Sequence, residues 1–181
     1  MIKKSLKLSL FIILILLFVG CSSTQKINTL LNQANDLTNQ KEYSKAIELY
    51  QQALTKNPNN EILMYNLALV AALDHQYQYS LSLLDKLVTL DDSYLKSYLE
   101  IAKIAGDQKV VESLLQKQAE QQNNYLDLIT FYEEQNRFKE AYEVALKAFE
   151  LNLYSNQLFE KLVELAEDKE VWQVIYNDYS L

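Results

Sequence analysis

At 181 residues the chain has one domain's worth of protein plus room for a leader, and its two glycines and single proline exclude a loop-rich or all-β architecture. A formal charge of −7 argues against nucleic acid as a partner, because that binding rests on neutralising phosphates. Leu, Ala, Glu, Lys and Gln dominate the remainder and favour helix, so the expected fold class is all-α.

The first element in chain order is a leader. Lys3, Lys4 and Lys7 precede an apolar run from Leu8 to Val19. Those 12 residues fall short of the roughly 20 needed to span a bilayer as a helix, and they suit the apolar centre of a signal peptide over 1–20. The run closes with Phe18-Val19-Gly20-Cys21, which resembles the lipobox of bacterial lipoproteins. That resemblance implies diacylglycerol on Cys21 once residues 1–20 are removed; Phe18 stands where an aliphatic residue is usual. An ordinary secretory signal with an incidental cysteine is the alternative reading. Removing residues 1–20 takes three lysines and no acid, moving the charge from −7 to −10. A chain this acidic is repelled by anionic headgroups, so acyl chains are expected to hold it at the membrane. Ser22 rather than aspartate follows the cysteine, which in similar Gram-negative lipoproteins permits transfer to the outer membrane. Residues 21–26 then form the lipidated cysteine and a short tether.

Residues 27–60 carry small and aromatic positions at fixed spacing. Leu30, Ala34, Leu37, Ala46, Tyr50, Ala53 and Pro58 fall at positions 4, 8, 11, 20, 24, 27 and 32 of a 34-residue unit. This resembles the tetratricopeptide repeat, a helix–turn–helix unit that stacks because one hairpin cannot bury its own apolar face. A second unit spans 61–94 (Met64, Leu67, Ala68, Ala71, then Ser80, Leu84, Leu87), with Asp92 in place of the proline, and a fourth spans 122–155 (Tyr125, Leu128, Ile129, Tyr132, then Phe138, Ala141, Ala145, Ala148). Shorter units at 95–121 and 156–181 match each other at an offset of 61, as Tyr98, Ile101, Ala105, Asp107 and Val110 align with Phe159, Leu162, Ala166, Asp168 and Val171. Both short units are expected to lack about one turn of their first helix, with Val111 and Trp172 filling the gap where other units place Ala46, Ser80 or Ala141. The resemblance implies a right-handed α-α superhelix of about five hairpins, ten helices over 27–181. Asn57-Pro58 should end a helix. Asn60, Ser93 and Ser155 should cap new ones, and Glu143 and Lys147 should pair on one helix face.

Catalytic chemistry has little to stand on, and no enzyme activity, cofactor or metal site is expected. His75 is the lone histidine and falls at a predicted turn; Asp74 beside it does not share its face. No HExxH, cysteine pair or glycine-rich phosphate loop is present. Asp91-Asp92 and Glu133-Glu134 sit near predicted helix boundaries, where carboxylates cap or solvate. Of the thirteen tyrosines, Tyr43, Tyr50, Tyr77, Tyr98, Tyr125 and Tyr132 occupy repeat-defining slots; Tyr65 and Tyr142 are not explained that way.

Proteins resembling this layout recognise partners on the first helix of each hairpin. The resemblance implies a groove floor at Asn28, Leu31, Asn35, Ile62, Tyr65, Leu69, Lys96, Leu99, Lys103, Leu126 and Thr130. Amides there can pair with an extended backbone, and aliphatic side chains can take its apolar groups. A face that is simply solvated is the alternative. At the C-terminus, Trp172, Tyr176 and Tyr179 form an aromatic stripe that either completes the core or meets a partner or second copy. The expectation is a non-enzymatic, membrane-anchored scaffold in the bacterial envelope that binds another envelope protein or peptide. A ligand- or substrate-handling accessory of an envelope transporter, using a pocket within the superhelix, is the second reading.

Overall fold

Capping side chains set some of the helix starts in this chain, and positive-φ turns end several helices. The computed structural model describes residues 25–153 and 155–166. Residues 25–39 are helical (α1). Then follow α2 (Tyr43–Lys56), α3 (Glu61–Leu73), α4 (Tyr77–Leu90), a 3-10 turn (Asp92–Tyr94), α5 (Leu95–Ala105), α6 (Gln108–Gln122), α7 (Leu126–Glu134), α8 (Phe138–Glu150) and α9 (Asn156–Ala166). No strand occurs among the described residues, and the fold class is all-α. The helices gather into two compact units divided within α5, after Ile101.

Asn57 ends α2 outside the helical region, at φ −143° and ψ 78°, and the following proline disfavours helix at that residue. Asn60 Oδ1 accepts the Leu63 N–H at 3.0 Å and so caps α3. Ser155 Oγ does the same for Leu158 at 3.1 Å. Ser93 is not a cap: Asp91 takes that role, accepting the Ser93 N–H at 2.8 Å, and Ser93 lies within the 3-10 turn.

The turn after each described first helix has one geometry. Lys41, His75, Gly106 and Asn136 all take positive φ, between 56° and 70°. In each case that residue's N–H bonds three residues back and the next N–H bonds five back, as when His75 reaches the Ala72 carbonyl and Gln76 reaches that of Ala71. Asn152 ends α8 in the same way. Carbonyls otherwise orphaned at the helix end are thereby satisfied.

Small residues carry the packing of the first unit. Ala34, Ala46, Ala53, Ala68, Ala71 and Ser80 are fully buried, and the Ser80 hydroxyl is satisfied by the Ala68 carbonyl at 2.6 Å. The second unit buries Ala119, Ala141, Ala145 and Ala148 alongside Leu128, Ile129 and Tyr132. Val111 is buried where the aligned positions carry alanine or serine. The shortening expected of α5 is smaller than one turn. It has 11 residues against 13 in α3, because the 3-10 turn supplies its start. Among the described residues the shortest α-helix is instead α7, with nine residues. It begins late because α6 runs on to Gln122 and stops only where Asn123 turns left-handed at φ 55°.

Candidate protein-binding site

In the first unit, α3 and α5 lie side by side through Tyr65. Its hydroxyl shares a 2.9 Å hydrogen bond with Ser97 Oγ, and its ring stands 5.2 Å from that of Tyr94. The Tyr94 hydroxyl in turn donates to Glu61 at 3.4 Å. Tyr65, unexplained by repeat packing, is thus the bridge between two successive first helices. Tyr142 is likewise accounted for, being buried on α8.

The floor residues divide by accessibility. On α1, Asn28 and Asn35 are exposed and Leu31 is half-buried. Asn35 Oδ1 is already engaged, accepting from the Tyr50 hydroxyl at 2.5 Å, so part of its polarity serves the fold. On α3, Ile62 is exposed, whereas Tyr65 and Leu69 are half-buried. Lys96 and Lys103 on α5 reach solvent. Leu99 does not: it is only 5% exposed and lies on the Leu95–Leu99–Ala102 stripe that faces inward. Leu99 therefore belongs to the core rather than to a groove floor.

In the second unit, Leu126 and Thr130 of α7 come together with Gln157, Glu160, Lys161 and Glu164 of α9 around a concavity of about 300 Å³. Lys161 is held there by Glu133 at 3.0 Å and Glu164 at 3.3 Å, and these carboxylates keep its ammonium above the ordinary lysine pKa. Glu133 is accordingly an ion-pair partner.

An arginine-centred cluster organises the same unit. Arg137 is the chain's single arginine. It forks onto Glu112 at 2.8 and 3.1 Å, bonds Glu140 at 2.9 Å, and lies 4.5 Å from the centre of the Tyr132 ring. Tyr132 donates to Glu112 at 2.9 Å, and Gln116 donates to Tyr132 at 3.1 Å. Hydrogen bonding from Arg137 holds both Glu112 and Glu140 below the ordinary carboxylate range, whereas burial pushes the Tyr132 phenol up. Helices α6, α7 and α8 are tied together at this point. Sequence spacing does not reveal the cluster; the solitary arginine is the one signal that could have.

Expected ion pairs rearrange as well. Lys147 reaches across to Glu120 at 3.3 Å, and Glu143 is 3.9 Å from Lys139 instead. Asp74 accepts from Ser44 and Gln76, and the His75 Nδ1 meets the Tyr77 hydroxyl at 2.9 Å. Among the described residues no cluster of His, Cys, Asp or Glu could hold a metal ion, and no helix is long and apolar enough to cross a membrane. Cys21 with its leader, and Trp172, Tyr176 and Tyr179, lie outside the described residues.

Residues 27–60 match the family model for the tetratricopeptide repeat. A stretch of 74 residues, 41% of this chain, is 35% identical to serine/threonine-protein phosphatase 5 of Homo sapiens; the match spans 15% of that protein's length. Among solved structures, a crystal structure of MamA protein aligns with a TM-score of 0.54 at 14% identity, over 87% of this chain and 90% of that one. A tetratricopeptide repeat protein from Parabacteroides merdae aligns with a TM-score of 0.52 at 16% identity, over 86% and 68%. At such identities the likeness is one of fold. Residues 27–60 thus carry a tetratricopeptide repeat, and the chain shares the fold of these repeat proteins. That architecture suits protein–protein interaction, since stacked hairpins present extended binding surfaces.

Proposed function

We propose that the chain is a non-enzymatic lipoprotein scaffold of the bacterial cell envelope, anchored through Cys21 and exported to the periplasmic or extracellular face. Its first-helix faces hold an extended segment of another envelope protein. The observation that carries this reading is the α3–α5 face. Tyr65 links two first helices, and on them Tyr65 and Leu69 are half-buried while Lys96 is exposed. A half-buried aromatic and aliphatic surface rimmed by polar side chains suits an extended peptide, since the apolar groups can take its side chains and the polar ones can pair with its backbone. Membrane attachment is supported by the apolar run that stops at the chain's one cysteine.

The ligand-handling alternative is weaker. The concavity beside Leu126 and Thr130, about 300 Å³, sits at the bottom of the size range for small-molecule sites, which are also mostly apolar. Its lining carries two carboxylates and an ammonium already in an ion pair.

In-cell crosslinking followed by purification tests the scaffold. Wild-type protein should return a defined envelope partner, and Leu69→Asp should lose it while keeping the wild-type melting temperature. A partner retained equally by Leu69→Asp removes the α3 face from the proposal. A melting shift with small molecules and no crosslinked protein would favour the ligand reading.

A further inference from the structure

Successive helices of the first unit run in opposite directions, so their ends gather at two poles. Residue 25 at the start of α1 shares its pole with the end of α2, the start of α3, the end of α4 and the start of α5. The Tyr94–Glu61 hydrogen bond joins two of these ends directly. Ile62, 65% exposed, and Leu90, 61% exposed, both stand at this pole. Its charges cancel: Lys26, Lys56 and Lys96 are matched by Glu61, Asp91 and Asp92, in a chain that is otherwise acidic.

Single exposed aliphatic residues are ordinary on a protein surface and would carry nothing alone. The position of Cys21 changes the reading. It precedes the helical residue Gln25 by four residues, and four residues fully extended reach at most about 14 Å. Diacylglycerol on Cys21 would therefore keep the start of α1, and with it this pole, within about 14 Å of the lipidated residue at the membrane surface. A neutral pole meets no net repulsion there from anionic lipid, unlike the acidic remainder of the chain.

We infer that this pole of the first unit rests on the lipid surface, with Ile62 and Leu90 seated at the boundary between headgroups and acyl chains. The inference rests on lipidation of Cys21. It moves Ile62 from the groove floor to the bilayer and leaves Tyr65 and Leu69, one and two turns further along α3, to the protein partner.

The test uses full-length lipidated protein in phosphatidylcholine vesicles whose acyl chains carry bromine, a contact quencher of tryptophan. Ile62→Trp and Leu90→Trp report on this pole. Leu73→Trp reports on the opposite pole, where Leu73 is also 50% exposed. The native Trp172 signal is measured in the unsubstituted protein and subtracted. The expected result is loss of fluorescence at positions 62 and 90 with none at 73. Equal loss at all three, loss confined to 73, or no loss overturns the inference while mass spectrometry still finds diacylglycerol on Cys21. Should Cys21 prove unmodified, the anchoring proposal itself fails, and the seated pole fails with it.

Discussion

The two units are built from the same hairpin but are stitched differently. In the first, the cross-helix polar contacts described are mostly between uncharged groups: Tyr50 with Asn35, Gln51 with Tyr79, Ser80 with the Ala68 carbonyl, Tyr65 with Ser97. Close backbone approach at fully buried alanines supplies the rest. In the second, ions cross between helices: Arg137 to Glu112, Lys147 to Glu120, Lys161 to Glu133. One fold can therefore be held by shape or by charge, and the two should respond to different perturbations.

The largest effect should come from spoiling the shape. Ala46→Leu forces a bulky group into a fully buried site between helix backbones and should cost about 1–3 kcal/mol in urea unfolding. Adding salt should not change that cost, because no charge is involved.

Charge should give the next effect. Arg137→Ala removes the fork on Glu112 and the stacking on Tyr132, and should cost about 1–2 kcal/mol given that the side chain is partly solvated. Arg137→Lys should recover little, since a point charge cannot replace a planar fork. The loss should also depend on pH. Glu112 and Glu140 are held below the ordinary carboxylate range when folded, so their contribution is complete above the unfolded value and fades as pH falls through the lower folded one. Wild type and Arg137→Ala should therefore converge in stability in acid.

Smaller effects test the shared turn. Gly106→Ala meets no atom within 4 Å of the new Cβ, so its cost of about 1 kcal/mol should be backbone strain alone. His75→Gly should go the other way and stabilise by less than about 1 kcal/mol, because glycine takes positive φ without that strain. Both can be read from thermal melts. Lys147→Ala comes last. Its pair with Glu120 is more than half exposed on both sides, so the change should stay within about 0.5 kcal/mol.

What could be read from residues alone was local. Ala34, Ala46 and Ala53 mark close helix approach, and Pro58 and Asn60 mark where one helix stops and the next begins, because each acts through its own backbone or immediate neighbours. The late start of α7 was missed because nothing near residue 122 announces that α6 will continue until Asn123 turns left-handed. The Arg137 cluster joins residues 25 positions apart, and such pairing depends on how helices dock rather than on spacing along one of them. Repeat spacing puts Leu99 on the floor, although its stripe with Leu95 and Ala102 is buried.

The most direct measurement is site-specific photocrosslinking in living cells, with a benzophenone amino acid placed at Leu69 on the first-helix face or at exposed Lys86 on the second helix of the same hairpin. A discrete adduct from position 69 and none from 86 is the expected result. Adducts of equal yield from both positions, or from 86 alone, would contradict recognition by the first-helix face.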